Sequence, residues 1–174
     1  MKDMFILLVS IFLFFGACSK SEEKIDFSLA EERNGLVFKI DDDEPYTGTI
    51  YGLYEDETKK AERNYKNGKL EGLSVFWYSN GNVDHQGTYK DGKLDGPSAA
   101  WYPYGEKSNE GNYLADERVG LWTWWMASGV MTAQGNYENG SRNGIWQMWN
   151  QDRQRWEEKQ YLNGFLLGGG GILN

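Results

Sequence analysis

The sequence predicts an all-β protein: an elongated antiparallel meander of tandem β-hairpin repeats. Three observations predict it. Glycines at Gly48, Gly72, Gly96, Gly120, Gly144 and Gly168 recur at a step of 24 residues. Tyrosines keep that step at Tyr65, Tyr89, Tyr113, Tyr137 and Tyr161. Tryptophans keep it at Trp77, Trp101, Trp125 and Trp149, with Leu53 in the corresponding place of the first unit. Columns that hold one period without an insertion define a repeat, and a repeat is stabilised by stacking on its neighbours.

From the N-terminus, residues 1–17 read as a signal peptide. Lys2 gives a positive start, and Met4 to Phe15 is an apolar run broken by Ser10. That run is too short to span a bilayer, which needs roughly 20 residues. Gly16, Ala17 and Cys18 then resemble the lipobox of bacterial lipoproteins, with Phe15 where Leu is usual. The resemblance implies that Cys18 is lipidated, becomes the new N-terminus and anchors the chain in a membrane. Ser19 rather than Asp follows it, which by the enterobacterial sorting rule favours the outer membrane of a diderm cell. Residues 18–34 read as lipidated cysteine and polar tether, with a short helix expected around Ser28 to Arg33. Residues 35–47 read as an entry strand (GLVFKI) and an acidic turn from Asp41 to Pro45. Five repeats occupy residues 48–168, and residues 169–174 form a glycine-rich tail expected to fray.

Each repeat is expected to hold two strands. Residues 73–78 are rich in β-formers, and Val83 to Lys90 is the return strand. Asn80-Gly81 between them signals a type I′ turn, in which both central residues adopt positive φ. Asp91-Gly92 signals a second, and Asn67-Gly68, Asn139-Gly140 and Asn163-Gly164 occupy the same place in other units. Ala115-Asp116 stands there in the third unit, where a different turn is expected. Counting back from these turns sets Gly87 against Gly96, Gly111 against Gly120 and Gly135 against Gly144. Facing glycines leave a trough in which a ring from a nearby strand can lie, and the Trp and Tyr columns are the expected occupants.

Composition narrows the function. Lys and Arg total 18 against 26 Asp and Glu, a net charge of -8. That balance argues against a nucleic-acid backbone, which calls for clustered cations, and favours a basic partner mainly through association rate. One Cys and one His exclude an internal disulfide and a Cys/His zinc site. No catalytic constellation emerges, and neither cofactor nor metal is expected. His85 reads as a surface strand residue, and the run from Asp41 to Glu44 lacks the spaced ligands and glycine of a calcium loop.

The aromatics carry the remaining signal. Strand alternation puts Trp77, Trp101, Trp125 and Trp149 on one face and Phe76, Trp122, Trp124, Trp146 and Met148 on the other. Trp122, Trp124 and Trp146 exceed what the repeat needs, since Ser74, Ala100 and Ser98 hold equivalent places. They are either packing or a binding strip for a protein partner or a glycan.

Leu73-Ser-Val-Phe-Trp-Tyr-Ser-Asn-Gly81 and Gly87-Thr-Tyr-Lys-Asp-Gly-Lys-Leu-Asp-Gly96 resemble the MORN-repeat variant of bacteria. Pro45-Tyr46-Thr47-Gly48 resembles the opening of such an array, and the likeness runs from about residue 44 to 168. It departs most at residues 151–156, where a turn and its glycines are replaced. Many such chains fall in the YwqK-like antitoxin family. That resemblance implies a non-catalytic module that binds a protein partner, a toxin or an envelope component. A glycan-binding envelope lipoprotein and a structural surface spacer are the alternatives.

Overall fold

The computed structural model describes residues 23–172, so the signal peptide and Cys18 lie outside the described residues. The long strands come as hairpins. They are β4 (Gly48–Leu53) and β5 (Lys59–Lys66), β6 (Lys69–Trp77) and β7 (Val83–Lys90), and β8 (Lys93–Trp101) and β9 (Lys107–Leu114). β10 (Glu117–Trp125) and β11 (Met131–Glu138), then β12 (Ser141–Asn150) and β13 (Arg155–Leu162), continue the series before β14 (Phe165–Ile172). β4 to β14 pair antiparallel in chain order within one twelve-stranded sheet, and β1 (Lys24–Asp26) completes it by pairing parallel with β4. The expected meander is therefore the fold.

The turns joining one repeat to the next follow the φ requirement of their residues. Asn67-Gly68, Asp91-Gly92, Asn139-Gly140 and Asn163-Gly164 all have both residues at positive φ. Ala115-Asp116 adopts the same turn, at φ 50° and 72°, although neither is glycine. The Asp116 carboxylate accepts the Leu94 N–H at 2.8 Å and helps hold it. Asn80-Gly81 differs from expectation, because only Gly81 is at positive φ. Here Tyr78 N–H donates to Asn82 O at 2.8 Å and Gly81 N–H to Tyr78 O at 2.9 Å, a longer loop with glycine at its left-handed position. Tyr102 to Glu106 and Met126 to Val130 repeat that pattern.

Both ends of the repeat are bonded onward. Gly92 N–H donates to Leu70 O, Asp116 to Leu94, Gly140 to Arg118 and Gly164 to Arg142, at 2.8–3.1 Å. At the other rim the Tyr54, Tyr78 and Tyr102 hydroxyls donate to the carbonyls of Trp77, Trp101 and Trp125.

The glycine pairing departs from the expected count. Gly87 pairs with Ser74 and Ser98, while Gly96, Gly120 and Gly144 pair with Tyr113, Tyr137 and Tyr161. The cause is a slip beyond four of the five inter-repeat turns. Between Val119–Asn112 and Thr123–Glu110, three residues of β10 oppose one of β9. A slip of two residues preserves which face each side chain takes. The same slip separates β5 from β6, β7 from β8 and β11 from β12.

The N-terminal end is capped. The expected helix over residues 28–33 is reduced to a single 3-10 turn at Phe27–Leu29, and β2 (Ala30–Arg33) pairs with β3 (Leu36–Lys39). Asn34-Gly35 between them is a type I′ turn at φ 54° and 76°, so pairing overrides local helix preference. Nor is residue 24 onward a free tether. Ile25 is buried with Tyr46, Ile50 and Tyr65, and Ala30, Val37 and Leu70 pack against them. At the far end, residues 169–172 belong to β14 rather than to a frayed tail.

Tyr46 fixes this cap. Its hydroxyl donates to Glu23 O at 2.8 Å and lies 3.1 Å from Thr49 O. Burial first, then the Glu23 charge, push its pKa up to about 12. An unfolded tyrosine loses its proton near pH 10. The folded group keeps it longer, so its contribution is whole below about pH 10 and is lost as pH rises toward 12. Tyr46→Phe is expected to be less stable at neutral pH by about 1 kcal/mol. Its melting temperature should also fall less than wild type between about pH 10 and 12, which thermal melts across that range would check.

Candidate interaction face

One face of the sheet collects the repeat glycines. Direct pairing runs Arg63–Ser74–Gly87–Ser98–Gly111 across β5 to β9, then Trp122–Gly135 and Trp146–Lys159 across β10 to β13. Phe76, His85, Ala100, Asn109, Trp124, Ala133, Met148 and Glu157 form the next row of the same face. The sequence grouping of Phe76, Trp122, Trp124, Trp146 and Met148 is therefore the observed grouping.

Their exposure is another matter. Trp122 and Trp146 are 1% and 0% exposed. The Trp122 indole covers Gly111 and the Trp146 indole covers Gly135, so closely that a Cβ at either glycine would overlap the ring. The trough exists at Gly111 and Gly135, each with one glycine and one ring. Each indole N–H is satisfied at 3.1 Å, by Asn112 O and Asn136 O. As direct contacts for a partner, Trp122 and Trp146 are thus corrected to core. A ring sealed in this way also cannot stack on a sugar. The extra tryptophans are absent from earlier units because another device fills the trough there: Leu94 Cδ2 would lie 2.7 Å from a Cβ on Gly87, and Ser98 stands in the Trp place.

Trp124 and Met148 are half-buried and pack on the sealed cluster. The Trp124 ring centroid is 5.7 Å from that of Trp122 and 5.4 Å from that of Trp146. Tyr113, Tyr137 and Tyr161 meet the buried indoles edge-on, at 5.1–6.2 Å. Phe76 lies apart, stacked on His85 at 4.2 Å. The Arg63 guanidinium is 5.1 Å from the Phe76 ring.

Two residues of this face were not singled out by their sequence pattern. The Arg118 guanidinium lies 4.8 Å from the Trp122 ring, and that of Arg142 lies 4.6 Å from the Trp146 ring. The equivalent earlier positions are Leu70 and Leu94. The exchange is paired: Leu stands four residues before Ser at Leu70/Ser74 and Leu94/Ser98, and Arg four before Trp at Arg118/Trp122 and Arg142/Trp146. That coincidence of columns was the available signal. Burial works against both charges. Even so, the Tyr113 and Tyr137 hydroxyls around Arg118, and those of Tyr137 and Tyr161 around Arg142, leave both pKa values raised.

The opposite face carries Trp77, Trp101, Trp125 and Trp149, all half-buried. Lys107 Nζ sits between two of them, 5.8 Å from the Trp101 ring and 5.9 Å from the Trp125 ring. The acidic turn is held through Arg33, which donates to Asp42 O and pairs with Asp43 at 3.9 Å. Among the described residues no group of three or more His, Cys, Asp or Glu side chains is placed to hold a metal ion. No protein-family model matches the chain, and no curated protein is significantly similar to it.

Proposed function

We propose that the protein is a non-catalytic, lipid-anchored repeat module that binds a protein partner and acts on it in the manner of an antitoxin or immunity protein. One observation carries the reading. Trp124 and Met148 sit half-exposed on a sealed bed of Trp122, Tyr137 and Trp146. Aromatic and Met side chains held on rigid sheet concentrate interface energy, because little conformational entropy remains to be lost on binding. The MORN-variant resemblance supports the same role, since it implies protein binding without catalysis. Cys18 and the apolar run before it support an envelope location, on the outer membrane in a diderm cell.

The test is capture from envelope extract by the full-length protein held in detergent, comparing wild type with Trp124→Ser. One stoichiometric protein, released by the substitution while the fold persists by circular dichroism, is the expected result. Its toxicity in cells should be relieved by wild type and not by Trp124→Ser. Retention of the same proteins by both forms would overturn the reading.

A further inference from the structure

Charge is distributed unevenly between the two faces of the sheet. Across β6 to β12, no register position on the glycine face holds a carboxylate, although the chain has 26 acidic residues. The first on that face is Glu157 of β13, already bound to Arg153 at 3.1 Å. The opposite face carries Glu62, Glu110 and Glu158 in a single row with Gln86, Gln134 and Gln147.

Arg118 and Arg142 stand in this acid-free field. Among the described residues neither has a carboxylate within ion-pair distance. Arg142 donates to Tyr161 Oη at 3.3 Å, which leaves most of its donors available. Both side chains are half-exposed. Each guanidinium lies over an indole, 4.8 and 4.6 Å from its centroid, and its planar N–H fork has donors beyond those that meet the neighbouring tyrosine hydroxyls. That fork matches a carboxylate with two parallel bonds. Packing accounts for part of the arrangement, because Arg covers Trp as Leu covers the empty trough. It does not account for the charge, which leucine avoids at the same position in two earlier units.

We infer that Arg118 and Arg142 form a paired carboxylate receptor for an acidic peptide segment of the partner. The inference rests on the protein-binding reading of this face and names the chemistry of what binds. The arginines lie two strands apart, so their Cα atoms are separated by about 10 Å along the array. A peptide in the polyproline II conformation advances about 3.1 Å per residue with three residues per turn, so acidic residues three apart lie on one side of it at about the spacing of the two arginines. Trp124 and Met148 lie two rows further along the same face, beyond the sealed Trp122 and Trp146 rings, and take an apolar residue of the same segment. The net charge of -8 repels acidic chains at long range. Binding therefore depends on these two bidentate contacts rather than on the overall field, and it discriminates against acidic chains of the wrong spacing.

The test is fluorescence anisotropy with the full-length protein in detergent. The probe is a labelled short peptide bearing two glutamates three positions apart and a leucine after them. Arg118→Leu and Arg142→Leu copy Leu70 and Leu94, so circular dichroism should stay near wild type. Each is expected to weaken binding about tenfold and the pair about a hundredfold. Arg118→Lys with Arg142→Lys keeps the charge without the fork, and should recover only a small part of the affinity. The glutamine version of the peptide should not bind. Equal binding by the double leucine variant, or by the glutamine peptide, would overturn the inference. Arginine-dependent binding to phosphatidylglycerol vesicles without peptide binding would overturn it in favour of a lipid surface. If the partner captured through Trp124 is retained in full by the double leucine variant, this inference fails and the protein-binding reading stands. Arginine-dependent peptide binding with no captured partner supports the carboxylate receptor and removes the antitoxin-like role instead.

Discussion

Gly135→Ala is expected to lower stability by about 3 kcal/mol, near the top of the range for inserting one carbon into a packed site. The added Cβ would overlap the Trp146 indole, whose position is fixed by its bond to Asn136 O and by Tyr137 edge-on at 5.1 Å. Neither ring nor strand can yield without breaking the ladder between β11 and β12. Two other glycines calibrate the effect. At Gly87 the nearest atom is the end of Leu94, which can rotate, so alanine should cost about 1 kcal/mol. At Gly144 a Cβ meets nothing within 4 Å, but φ is 76°, so alanine should cost about 1 kcal/mol from backbone strain alone. Urea melts of the three variants would give this order. Combining Trp146→Ser with Gly135→Ala should cost less than the sum of the two single changes, because the added Cβ then meets no ring. A Gly135→Ala variant no weaker than Gly144→Ala would mean that the ring does not occupy the trough.

Trp146→Ser in an otherwise unchanged chain is expected to cost about 4 kcal/mol, as for other fully buried aromatic side chains. It removes the ring that covers Gly135 and that Arg142 and Tyr161 contact, at 4.6 Å and 6.2 Å. The gap is lined by glycine backbone, which has no side chain to fill it. Arg142 would also remain where the Ser-bearing units have leucine, so the double change Arg142→Leu/Trp146→Ser should recover stability. The array is quasi-one-dimensional, and the loss should be felt locally. Hydrogen exchange should quicken in β11 to β13 and stay unchanged in β4 to β6. Uniform acceleration along the chain would contradict the local picture. Trp124→Ser, at a half-buried ring, should cost about 2 kcal/mol, which keeps it usable as a binding probe.

Much of this architecture is legible in the sequence because it is set by short-range chemistry. Asn67-Gly68 and Asp91-Gly92 specify their turn through φ, and strand alternation places Trp122, Trp124, Trp146 and Met148 on one face. Two kinds of feature are not legible. The two-residue slip that moves Gly87 from Gly96 to Ser98 falls on Gly72, Gly96, Gly120 and Gly144, which adopt positive φ within the bulged segments, and a glycine column alone does not say that it marks a bulge. Alternation assigns a face but not what covers it, so the burial of Trp122 and Trp146 does not follow from the rings and glycines alone. Asn34-Gly35 is readable as a hairpin turn, yet the Ala, Glu and Arg residues before it favour helix until β3 pairs with them. Arg118 and Arg142 are visible as letters, but a charged residue on a strand ordinarily signals solvent rather than a lid on an indole.

The Leu/Ser and Arg/Trp combinations constrain how this chain can change over generations. The two residues of each combination lie four apart on one strand, and losing the Trp alone leaves a trough empty and a charge uncovered. Loss of a Trp at these columns is therefore expected to survive only with a change of its Arg, and to be harmful until that change arrives. Copying a 24-residue stretch that holds the whole of β10 or β12 carries both residues together and preserves the match. Repeat number is then the freer variable for such a gene, and the identical pairs on β10 and β12 are what duplication of such a stretch would leave behind.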